Sequence, residues 1–177
     1  IKTIYKMNNK IVLAFSGGLD TSFCVPYLKE KGYEVHTVMV NTGGFSAEEE
    51  KAIETRALTL GAASHKNVNA VETYYSKGIR YLIYGNILKN ATYPLSVSSE
   101  RVFQALEVLR HVKEIGAGAV AHGSTGAGND QVRFDIVFEI LAPEVQIIAP
   151  VRDHGFTRQF EIDFLQNHGF DFTWEKA

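Results

Sequence analysis

Residues 11–15 read Ile-Val-Leu-Ala-Phe, a run with no polar side chain. Five such residues in succession suit a strand covered on both faces, which demands helices on both sides of its sheet. The rest of the chain supplies them. A glycine loop at 16–18 leads into a helical stretch that Gly32 stops as a C-terminal cap. A second strand is predicted over 35–40. Ser46 and Glu49 have the S-x-x-E form of a capping box, opening a helix with Ile53, Ala57 and Leu60 inward and Gly61 as its stop. A shorter strand at 63–68 leads to a Tyr-rich helix from about 70 to 81, and residues 84–98 read as irregular around Tyr93-Pro94. Val102, Leu106, Leu109, Val112 and Ile115 form one apolar helical stripe ending at Gly116. Then come a strand at 117–122, a Gly-rich loop, a helix at 130–141, a strand at 145–149 stopped by Pro150, and a helix at 157–168 closed by Gly169. Residues 170–177 form no complete element.

Five strands alternating with helices predict an α/β domain: a parallel five-stranded sheet flanked by helices, Rossmann-like, with right-handed crossovers. Ligands of such sheets sit outside the carboxyl ends of the strands. That directs attention to the residues after Phe15, Val40 and His122. With 177 residues, 45% of them hydrophobic, and a net charge of only −2, the chain has material for one core and is not intrinsically disordered. Residues 1–6 precede Met7 and read as an upstream or appended segment, with the domain expected over 7–177.

The balance of 18 basic and 20 acidic side chains supports neither a nucleic-acid footprint nor a membrane-surface one. No apolar run approaches the ~20 residues of a membrane span, and residues 1–15 lack the form of a secretory signal. One cysteine, Cys24, excludes an internal disulfide and any multi-cysteine metal site, and is expected to be a buried helix residue. The six histidines include no i, i+4 pair, so no zinc site is expected. His122, at the end of a strand on the ligand-facing edge, is read as structural or ligand-orienting. Tyr74, Tyr75, Tyr81 and Tyr84 are expected to be packing residues rather than a base-stacking platform. A cytoplasmic location fits this composition.

The first loop, Ser16-Gly17-Gly18-Leu19-Asp20-Thr21-Ser22, leaves the apolar strand and enters a helix. Adjacent glycines permit positive φ and a close approach of backbone to ligand. Successive amides and the helix N-terminus attract an anion, and Ser16, Thr21 and Ser22 add hydroxyl donors. The set suits a polyphosphate. Asp20 would repel phosphate directly, so it fits either a helix cap or a ligand to a phosphate-bridging Mg²⁺. A plain tight turn with a cap is the competing reading. No glycine is followed by lysine, which excludes a P-loop. The near-match to a dinucleotide fingerprint at 116–121 precedes a strand instead of following one, and is spurious.

This first loop resembles the PP-loop of the N-type ATP pyrophosphatases, whose fold is that of the adenine nucleotide alpha hydrolases. The resemblance implies cleavage of ATP between its α and β phosphates, with the loop holding the departing pyrophosphate.

The second loop, 121–134, places Thr125, Asn129, Asp130 and Arg133 after a strand, among three glycines. A carboxylate can accept from an ammonium and a guanidinium can fork onto a carboxylate, so such a set can read a zwitterion. If Asp130 opens the next helix, Arg133 lies one turn on, facing the same side. A Gly-rich connection with an Asx cap and a surface arginine is the plainer alternative. The segment Ala121-His122-Gly123-Ser124-Thr125-Gly126-Ala127-Gly128-Asn129-Asp130-Gln131-Val132-Arg133-Phe134 resembles a signature of the argininosuccinate synthases. Tyr93-Pro94-Leu95 with Ser98, and the opening 13–22, match that family too.

The resemblance implies ATP contacts at Ala14, Phe15, Ser16, Gly17, Gly18, Leu19, Asp20, Thr21, Ser22, Val40 and Gly123. It implies aspartate contacts at Thr125, Asn129 and Asp130, and citrulline contacts at Tyr93, Ser98, Asn129 and Arg133. The activity implied is ATP- and Mg²⁺-dependent joining of citrulline and aspartate, with no protein nucleophile. The family's C-terminal synthetase domain is expected to be absent, leaving an ATP-binding module without turnover; the complete enzyme would be a homotetramer. Ala127 stands where many members carry lysine, residues 41–44 replace an acidic segment, 99–102 keep only the arginine of a usual A-R-P ending, and Pro26 should cost the first helix one backbone bond. Another PP-loop adenylating enzyme, directed at tRNA or linked to an amidotransferase, is the competing member.

Overall fold

The structure is a computed structural model and describes residues 8–89 and 92–174. Its centre is a five-stranded parallel sheet of β1 (Lys10–Ala14), β2 (Glu34–Asn41), β3 (Ser64–Asn69), β6 (Ala119–His122) and β7 (Gln146–Ile148), in the order β3-β2-β1-β6-β7. Strands β4 (Leu88–Lys89) and β5 (Tyr93–Pro94) form a separate antiparallel pair. The apolar run occupies the middle of the sheet. Ile11, Val12 and Leu13 are fully buried, and they divide by alternation: Ile11, Leu13 and Phe15 face one core, Val12 and Ala14 the other. At roughly 1.5–3 kcal/mol per fully buried aliphatic side chain, this strand anchors both layers.

One layer is built from α1 (Leu19–Glu30), α2 (Ala47–Thr59) and α8 (Arg158–Asn167), which bury Phe23, Leu28, Ile53, Ala57 and Leu165 against it. Helices α5 (Ser96–Ile115) and α6 (Asp130–Leu141) make the other, with Val108, Val112, Phe134 and Phe138 inward. Helix α8 lies along α1, and His168 meets Glu30 at 2.8 Å. The local signals explain the boundaries. Ser46 accepts from the Glu49 amide while the Glu49 carboxylate accepts from the Ser46 amide, completing the capping box. That bonding holds the Glu49 carboxyl below its ordinary pKa. Gly116 caps α5 in the left-handed conformation. Cys24 is buried, as expected, and no described helix is long and apolar enough to cross a membrane.

Three expectations need correction. Pro150 does not merely stop a strand; it opens a short helix, α7 (Pro150–His154), because a missing N–H costs nothing at a helix start. The Tyr-rich segment runs on past 81 as α3 (Val71–Tyr74), a π-helical turn (Tyr75–Ile79) and α4 (Arg80–Tyr84). Of its tyrosines only Tyr74 packs; Tyr75, Tyr81 and Tyr84 are exposed.

Candidate functional site

Strands β1 and β6 are neighbours, yet the chain leaves β1 for the α1 layer and β6 for the α5–α6 layer. The crevice outside their carboxyl ends is therefore a topological switch point. The first loop follows β1 and the second follows β6, and they touch: a β-carbon on Gly123 would stand 3.0 Å from the Thr21 amide nitrogen. A cleft of about 1110 Å³ opens over this contact, with Val40 at the end of β2 on one side and Arg101 and Gln104 of α5 on the other.

Only one of the paired glycines uses its freedom. Gly17 has φ +76, while Gly18 sits at φ −71, ψ 173 as the N-cap of α1. No side chain caps this helix, and the amides of its first turn lack intrahelical acceptors. Space is open at Gly18, where an added β-carbon would meet only the Ser16 hydroxyl at 3.5 Å. Ser16 and Thr21 place their hydroxyls 3.3 Å apart. Ser22 departs from the expected role of its side chain. It is fully buried and its hydroxyl donates to the Gly17 carbonyl at 3.4 Å, so it braces the loop from behind. Asp20 is not the cap; it lies in the first turn and lines the cleft.

Behind Asp20 stands Glu161 of α8, 1% exposed. Burial first, then the negative charge of Asp20 and a hydrogen bond with it, push the Glu161 carboxyl up to about 8. Burial, with Glu161 and Asp20 nearby, raises the Cys24 thiol well above its ordinary value, so this cysteine is no nucleophile.

At the second loop, Asp130 does open α6 and Arg133 does face its side, with Nη1 2.6 Å from Oδ1. Arg101 holds the other oxygen, Nε to Oδ2 at 3.0 Å, and Arg133 also donates to Ser98 Oγ at 3.0 Å. Burial alone would raise the Asp130 pKa; the two guanidinium groups outweigh it and hold the carboxyl below its ordinary range. Thr125 and Asp130 line the cleft, and Ser98 and Arg133 adjoin it through this chain of contacts. Asn129 is the exposed N-cap of α6 but makes no side-chain cap. The Tyr93 side chain lies outside what the structure describes.

His122 is 1% exposed, accepts from the Ser124 amide at Nδ1 (3.2 Å) and donates Nε2–H to Asp135 (3.0 Å), which also pairs with Arg152. Burial lowers its pKa against the opposing pull of Asp135, so the ring orients the second loop as a neutral group. Among the described residues, no group of three or more His, Cys, Asp or Glu could hold a metal ion.

Sequence reasoning missed Arg56 of α2, Trp174 beyond α8, and Glu161. All three reach the first loop or its cleft from other elements, and no local pattern marks them.

The family model for the arginosuccinate synthase N-terminal HUP domain matches residues 10–171. The chain is 46% identical over 164 residues to argininosuccinate synthase of Xanthomonas campestris, covering 90% of this chain and 41% of that protein. It is 46% identical over 167 residues to the Xylella fastidiosa enzyme (92% and 41%) and 44% identical over 162 to that of Pyrobaculum aerophilum (91% and 40%). The chain thus spans about 40% of the length of these relatives. A solved structure described as a predicted subunit of tRNA methyltransferase from Methanocaldococcus jannaschii shares the fold, with a TM-score of 0.56 at 18% identity over 91% of this chain and 88% of that one. Two loops of this design meeting at one switch point, in a chain matched almost end to end, leave one assignment: the chain belongs to the argininosuccinate synthase family and carries its N-terminal HUP domain.

Proposed function

We propose that this chain is the nucleotide-binding part of an enzyme that joins citrulline to aspartate at the expense of ATP. In that reaction the ureido oxygen of citrulline attacks the α-phosphorus, pyrophosphate leaves, and the aspartate amine then displaces AMP from the citrulline adenylate. The observation that carries the reading is the contact between Gly123 and Thr21, which sets an uncapped helix start and a carboxylate–guanidinium cluster along one cleft.

The residues fit a polyphosphate. Gly18 keeps its stretch of cleft free of any β-carbon, the first-turn amides of α1 supply donors, and Ser16 and Thr21 add hydroxyls. Leu19 and Asp20 contribute backbone to the same turn; Ala14, Phe15, Val40 and Gly123 line the nucleotide's wall. Asp20 is the carboxylate suited to hold Mg²⁺, which would neutralise phosphate charge. Thr125, Asn129 and Asp130 would receive the aspartate substrate, and Tyr93, Ser98, Asn129 and Arg133 the citrulline. Catalysis then comes from alignment and charge stabilisation, with no covalent enzyme intermediate.

Alone, the chain is expected to bind ATP without turnover; the complete synthase would be a cytoplasmic homotetramer. Calorimetric titration with Mg·ATP, beside a pyrophosphate-release assay with citrulline and aspartate, tests this. Binding heat without release is expected. Release by the chain alone would contradict the need for further sequence, and release stimulated by tRNA and not by citrulline would contradict the substrate assignment.

A further inference from the structure

The Gly17 carbonyl points toward α2, and two side chains hold it there. Arg56 of α2 donates Nη1–H to this oxygen, and the buried Ser22 hydroxyl donates to it at 3.4 Å. The Arg56 guanidinium itself packs against a pair of aromatic rings that meet edge to face. Its Cζ lies 5.2 Å from the centroid of Phe172 and 5.3 Å from that of Trp174. Both rings belong to the stretch after α8, which has no regular secondary structure and packs against the core of the α1–α2 layer. Arg56 and Trp174 also line the cleft.

A peptide unit is planar and trans, so its C=O and N–H point in opposite directions. Fixing the Gly17 oxygen toward α2 therefore fixes the Gly18 N–H toward the cleft, where the nearby acceptor is the exposed Ser16 hydroxyl at a long 3.4 Å. Gly17, at φ +76, lies in a region where its peptide could rotate without steric penalty; a glycine pair is soft. Ser22 within the loop and Arg56 from outside it together choose one orientation. The neighbouring aromatic pair favours a cation and restricts the long arginine side chain.

We propose that Arg56, packed against the joined rings of Phe172 and Trp174, is a positioning residue that presets the Gly17–Gly18 peptide for phosphate binding. The proposal rests on the reading that this loop receives the phosphates of ATP. It assigns the residues after α8 a part in the nucleotide site although they lie far from the loop in sequence.

The test is calorimetric, on the 177-residue chain, with Mg·ATP, inorganic pyrophosphate and adenosine as separate probes. Arg56→Met should weaken ATP and pyrophosphate binding by about tenfold or more, the scale of one hydrogen bond from a charged donor. Adenosine binding should stay unchanged. Arg56→Lys should recover much of the loss, because an ammonium can donate one bond and still rest against the ring pair. Trp174→Leu should cost pyrophosphate affinity by a smaller factor, and carries the test if Arg56→Met does not fold. Parental pyrophosphate affinity in Arg56→Met, or in Trp174→Leu, would overturn the proposal, as would equal losses for pyrophosphate and adenosine. A parent chain that binds neither ATP nor pyrophosphate would bring down the phosphate-loop reading itself, and this one with it.

Discussion

Gly123 lies against Thr21 so closely that a β-carbon on the glycine would stand 3.0 Å from the threonine amide nitrogen and 3.1 Å from the Asp20 carbonyl carbon. Backbone atoms cannot swing aside as a side-chain end can. Gly123→Ala is therefore expected to force the two loops apart, with a stability loss of about 1–3 kcal/mol, the scale of overpacking. ATP affinity should fall with it. Melting temperature and calorimetry check this, and a variant unchanged in both would show that the loops do not need this contact.

Gly18 presents the opposite case. Its backbone, at φ −71 and ψ 173, suits any L-residue, and an added β-carbon meets nothing closer than the Ser16 hydroxyl at 3.5 Å. Gly18→Val should fold normally and lose ATP binding, since the new side chain fills the space assigned to phosphate. Undiminished ATP affinity in a folded Gly18→Val chain would count directly against the loop assignment.

Glu161 sets a pH dependence. Its folded pKa of about 8 lies above the ordinary 4.5, so between those values the folded chain holds a proton that the unfolded chain has released. Its contribution to stability is full below 4.5 and is lost as pH rises through about 8. Glu161→Gln, which mimics the protonated acid, should flatten that decline. Urea unfolding of both chains between about pH 5 and about pH 8 measures the difference; parallel pH profiles would rule the shift out.

Arg133 bonds to Asp130 and Ser98, and neither it nor Ser98 lines the cleft directly. Arg133→Ala should leave ATP binding at its parental value and abolish citrulline-dependent pyrophosphate release in the complete synthase. Loss of ATP binding in this variant would place the arginine at the wrong end of the site.

Much of this architecture is readable where physics is local. The apolar run at 11–15 buried on both faces, the reciprocal bonding of Ser46 with Glu49, and the helix stop at Gly116 each depend on neighbours in sequence, and each appears as expected. The same locality hides other features. Pro150 ends a strand and opens a helix with equal ease, so its neighbours alone do not choose. The exposed Tyr81 and Tyr84 have a composition that suggests packing, and only the tertiary fold withholds it. In the site, the glycines and hydroxyls of each loop announce themselves. Ser22 does not reveal that it faces backward, and Arg56, Glu161 and Trp174 arrive from helices and segments whose own patterns speak only of helix and core.

The position of β1 between β2 and β6 has a consequence for biosynthesis. The first loop is made before β6, whose own loop it touches, and every helix of α2 to α5 must come between. Long-range parallel pairing of this kind forms slowly. A ribosome-bound chain halted before β6 would carry the complete glycine loop and still have no cleft, with one edge of β1 bare until the later strand emerges to cover it.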